Sequence, residues 1–139
     1  MKALLFSLML IPVIGGISFA GDPLIGHWTF QQFTTYVNNP GAPMLCIGDL
    51  EIHKDGTYEG WNICKHGNSP DRFEMSWSGD WRKVSPRHYM ANGGDYDIVL
   101  SRDGKSGFFG STRTTNPDMN GVYEWGTLLK VRIDRNGLQ

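Results

Sequence analysis

Cys46-Ile47-Gly48-Asp49-Leu50-Glu51-Ile52-His53-Lys54-Asp55-Gly56-Thr57-Tyr58-Glu59-Gly60-Trp61-Asn62-Ile63-Cys64 is the stretch that decides the fold. Lys54-Asp55-Gly56 is hairpin-tip chemistry, because Asp and Gly tolerate the backbone conformations a tight reversal needs. If those residues form the loop, with no bulge in either arm, His53 lies opposite Thr57. Counting outward, Ile52 then faces Tyr58, Leu50 faces Gly60, Gly48 faces Asn62 and Cys46 faces Cys64, all on one side of the ladder. The chain has 2 Cys, so this register predicts one disulfide across the hairpin. Closing a loop of about nineteen residues stabilises a fold by about 3 kcal/mol in the chain-entropy model. There is no Cys-x-x-Cys spacing to mark a redox pair, and the expected role is structural.

Outward from the hairpin the same period of two recurs, and no window keeps an apolar i, i+3, i+4, i+7 helical pattern. Strands are expected at 26–37, 45–53, 57–64, 72–78, 81–84, 87–92, 95–101, 106–113 and 122–133, or eight in all if 72–84 is one strand bent at Gly79. In the last of them Tyr123, Trp125, Thr127, Leu129, Val131 and Ile133 alternate with more polar residues and read as the core face. Asn92-Gly93-Gly94 and Arg102-Asp103-Gly104 supply two further hairpin tips. Three connections are longer, 38–44, 65–71 and 114–120, and 38–43 and 115–120 within the first and last are candidates for a rim at one mouth. The 18 Gly and the five Trp, within an aromatic share of 12%, suit twisted antiparallel sheet. The expectation is an all-β fold: an antiparallel up-and-down barrel of about eight strands with one hairpin disulfide.

Residues 1–20 read as a secretory signal peptide. Lys2 is followed by an apolar run from Ala3 to Ile14, then Gly15-Gly16 and the small residues Ser18 and Ala20 around Phe19. Residues 21–139 would then form a single domain in a secreted or periplasmic setting, with no membrane anchor left. The formal net charge of −1 gives no electrostatic footprint for nucleic acid.

Leu24-Ile25-Gly26-His27-Trp28 leads directly into the first strand, and Leu128-Leu129-Lys130-Val131-Arg132 closes the last. This arrangement resembles the calycin barrels: lipocalins, avidins and the bacterial metalloprotease inhibitors. The resemblance implies that Trp28 plugs one barrel end, with Arg132, or as second choice Lys130, over its ring as a cation–π partner. Gly26-His27-Trp28, Cys46-Ile47-Gly48-Asp49-Leu50, Cys64, Trp81-Arg82 and Asp103-Gly104 before Phe108-Phe109 follow the order of features in the inhibitors of secreted metalloproteases. In that family a free N-terminal segment enters the protease cleft. The matching residues here are Gly21, Asp22, Pro23, Leu24 and Ile25.

Catalytic and metal chemistry is sparse. His27, His53, His66 and His88 stand alone, with no metal-ligand spacing, and neither a metal nor another cofactor is expected. Asp95 and Asp97 share one strand face about 7 Å apart, which reads as a wetted edge. The serines lack a nucleophile elbow. Trp61 falls opposite the hairpin's core face and is the best candidate for an exposed contact. Large side chains in a short barrel leave little room for a ligand. The expected function is therefore a non-enzymatic binding protein with a protein partner, most specifically a protease inhibitor. The alternatives are a carrier of a small apolar ligand and a small enzyme with an unrecognised polar site.

Overall fold

The computed structural model describes residues 21–36, 42–111 and 122–132. The expected signal peptide at 1–20, residues 38–41 of the first long connection and the whole of 114–120 lie outside them. Eight strands are formed: β1 Gly26–Tyr36, β2 Met44–Ile52, β3 Thr57–His66, β4 Arg72–Ser85, β5 His88–Ala91, β6 Tyr96–Leu100, β7 Ser106–Ser111 and β8 Val122–Lys130. Each pairs antiparallel with the next, and β8 pairs back to β1, giving a closed up-and-down barrel. β4 is one strand of 14 residues, so 72–84 is a single element.

The hairpin register holds. Ile52 faces Tyr58, Leu50 faces Gly60, Gly48 faces Asn62 and Cys46 faces Cys64. The tip closes through the Thr57 amide and hydroxyl, which donate to Asp55 Oδ1 at 3.0 and 2.6 Å. Gly56 there has φ 88°, a conformation that side chains disfavour. Cys46 and Cys64 are joined and fully buried, 18 residues apart in sequence.

The last strand is the main correction. Leu128 is inside at 3% exposed, whereas Trp125 (47%) and Leu129 (60%) face outward. Register explains the reversal, because residues paired across a ladder share a face. β1 buries Trp28, Phe30 and Thr34, and these pair with Lys130, Leu128 and Glu124. Glu124, Gly126, Leu128 and Lys130 therefore point into the barrel. Trp125 instead stacks on Phe33 outside, with ring centroids 6.0 Å apart.

One end of the barrel is packed solid by Leu24, Trp28, Trp81, Tyr89 and Leu100. Trp28 Nε1 donates to Leu24 O at 2.8 Å, and Trp81 Nε1 donates to His53 O at 2.9 Å. Trp81 meets Tyr89 edge to face at 5.8 Å. An indole of this size removes about 200 Å² from water, contributing up to about 5 kcal/mol. The cation over Trp28 is Lys130, at 5.2 Å, not Arg132. Lys130 is paired directly with Trp28 and points inward, while Arg132 lies beyond the end of β8 and is exposed.

Candidate functional site

Five of the glycines within strands sit where a neighbouring group occupies the space of a side chain. A Cβ on Gly60 would come within 2.5 Å of the Trp77 ring, and one on Gly126 within 2.6 Å of the Phe109 ring. Gly60 pairs with Trp77 and Gly126 pairs with Phe109 across their ladders, so each large ring lies over a bare stretch of backbone. At Gly79 a Cβ would collide with the Tyr58 hydroxyl at 2.5 Å. Gly48 and Gly107 are similarly close to Asn62 and Leu100.

Folding the rings onto the wall opens the interior. A cavity of about 270 Å³ occupies the barrel away from the packed end, more room than the bulk of the aromatic residues led the sequence reading to allow. Its floor consists of buried Leu50, Ile52, Trp81, Ala91, Ile98 and Leu128. Its walls are aromatic: Phe30 meets Trp77 at 5.8 Å and Phe109 at 6.2 Å, and Tyr58 meets Trp77 at 5.5 Å, all edge to face. Such pairs hold their rings by quadrupole attraction in addition to area burial. The exposed lining residues Met75, Ser78 and Asn92 mark the mouth. It opens there because β5 is only 4 residues long and pairs with β4 only over the Trp81–Ser85 half.

Polar groups are few and placed. The Tyr58 hydroxyl donates to Asn92 Oδ1 at 2.5 Å, and burial pushes that phenol's pKa up to about 12. The Tyr96 hydroxyl donates to Glu124 Oε2. Burial, then that hydrogen bond and the carboxylate's charge, raise the Tyr96 pKa well above its ordinary value. Asn62 lines the cavity at 2% exposed, and its Oδ1 lies 3.6 Å from Cys64 Sγ, a disulfide sulfur with no proton to donate.

The residues singled out by sequence fall elsewhere. Residues 21–25 do not project as an arm, since Leu24 is fully buried. Asp22 accepts from Lys83 Nζ at 2.8 Å, the Tyr89 hydroxyl at 2.6 Å and the Leu24 amide at 2.9 Å. Burial alone would raise the Asp22 pKa; these hydrogen bonds outweigh it and hold the carboxyl below its usual range. Lys130 Nζ adds a hydrogen bond to Pro23 O at 2.5 Å. Trp61 is on the outer wall at 39% exposed. His27 lies 3.3 Å from Asp49 and 3.4 Å from Glu51, and His88 lies 2.7 Å from Asp97. These are outer-wall pairs, of a kind that adds little stability. Among the described residues no group of three or more His, Cys, Asp or Glu could hold a metal ion.

Glu124, Tyr96, Asn62, Trp77 and Phe109 were not legible as a set; for Trp77 and Phe109 the signal was a glycine at the strand position directly opposite the ring.

No protein-family model matches the chain, and no curated protein matches it. Among solved structures it is similar to a de novo designed fluorescence-activating β-barrel, at 14% identity and TM-score 0.46, over 81% of this chain and 97% of that one. The chain is an eight-stranded antiparallel barrel in up-and-down order.

Proposed function

We propose that the protein is an exported, non-enzymatic binding protein that holds a small, largely apolar molecule inside its barrel. The observation that carries this reading is the cavity of about 270 Å³, walled by aromatic rings and open on one side. An apolar cavity of about 150 Å³ suffices for benzene, and pockets for drug-sized ligands begin near about 300 Å³. The fitting ligand is therefore one or two fused rings with a short substituent. Export is supported by the buried disulfide, since such bonds persist in oxidising compartments. Protease inhibition draws no support from the fold, because residues 21–25 are tied into the packed end through Asp22 and Leu24.

Isothermal titration with indole tests this. Ala91 is a buried floor residue, and Ala91→Leu fills part of the cavity with apolar carbon. Indole is expected to bind the natural protein and not the variant, whose melting temperature should be equal or higher. Equal binding to both, or no binding to either, rejects the reading.

A further inference from the structure

We propose that the cavity takes a planar organic cation, a ring system carrying an ammonium or amidinium group whose charge sits against Glu124. This rests on the interior being the binding site. Among the described residues, Glu124 is the one side chain lining the cavity with a formal charge, and no Lys, Arg or His lines it. It faces inward because β8 turns Gly126 and Leu128 to the core, and it is half-buried. Among the described residues no cation pairs with it.

The Tyr96 hydroxyl is the donor on Glu124 Oε2, and one hydroxyl uses one of a carboxylate's roughly four lone-pair positions. The remaining positions suit an incoming ammonium, which carries three donors. A half-desolvated carboxylate gains from an entering cation, gains little from a neutral group and repels an anion. The rings of Trp77, Phe30, Phe109 and Tyr58 accept a flat apolar body, and a positive charge near their faces adds cation–π attraction. The buried Asn62 amide supplies a further polar contact for a ring N–H.

The test is isothermal titration of four probes with one ring: indole, tryptamine, indole-3-ethanol and indole-3-acetate. Tryptamine is expected to bind at least tenfold tighter than the alcohol, the span a hydrogen bond to a charged partner provides, and the acetate weakest. Glu124→Gln keeps an acceptor for Tyr96, and should erase the preference for tryptamine over the alcohol. Tyr96→Phe keeps the carboxylate and should retain the preference, so the result does not depend on one variant folding. If indole binds but tryptamine binds no tighter than the alcohol, or if the preference survives Glu124→Gln, the cation assignment is overturned and the cavity reading stands. If none of the four binds, both fall.

Discussion

Gly60→Ala is expected to destabilise the barrel, although at an extended position the exchange ordinarily does the reverse. Gly60 has no positive φ, so adding a methyl should stabilise by about 0.4–1 kcal/mol through the unfolded chain. Against this, the new Cβ would lie 2.5 Å from Trp77 Cη2 and Cζ2 and 2.9 Å from Cε2. Trp77 must rotate off the wall, and it is hemmed in by Phe30 and Tyr58 at ring distances of 5.8 and 5.5 Å. Overpacking of this kind costs about 1–3 kcal/mol, leaving a net loss of about 1–2 kcal/mol, or roughly 5–10 °C in melting temperature. Urea unfolding followed by far-UV circular dichroism measures it without depending on tryptophan emission. Trp77→Phe removes the atoms the methyl would meet, so Gly60→Ala should cost about 1 kcal/mol less in that background. A Gly60→Ala protein as stable as the natural one, or additivity of the two changes within about 0.5 kcal/mol, would refute the view that this glycine exists to seat the ring.

Two further predictions concern the packed end. Asp22 has a folded pKa held below its unfolded value, so its contribution is present above about pH 4 and is lost as pH falls through the depressed value. Asp22→Asn should cost about 1.5–3 kcal/mol at neutral pH, and urea unfolding at pH 6 and below pH 3 should show the gap to the natural protein narrowing in acid. Lys130→Met removes the cation over Trp28 and the hydrogen bond to Pro23 O. It should cost about 1–2 kcal/mol by urea unfolding, while Arg132→Met at its exposed position stays within about 0.5 kcal/mol.

The hairpin was legible because its turn residues, its alternation and its two cysteines all imposed one register. The β8 face was not, because Leu128 and Leu129 are adjacent and the apolar count alone favours Trp125 and Leu129; only pairing with β1 decides between them. That reversal also brought Glu124 inside, while the plug's cation is Lys130 and not Arg132 because Lys130 is the residue paired with Trp28 and β8 ends there. The clamp on Asp22 depends on Lys83 and Tyr89, which are 61 and 67 residues away, beyond the reach of any local pattern. The cavity was hidden for a related reason: in sequence, glycine suggests a turn, and only cross-strand register reveals that Gly60 and Gly126 sit opposite Trp77 and Phe109.

The most direct test of an internal site is to follow the five tryptophan indole N–H signals by ¹H–¹⁵N NMR while indole is added. Trp77 and Trp81 line the cavity, whereas Trp61 and Trp125 face outward. The account predicts saturable shifts of the Trp77 and Trp81 signals with Trp61 and Trp125 unmoved; shifts confined to Trp61 and Trp125, or no shifts at all, would contradict it.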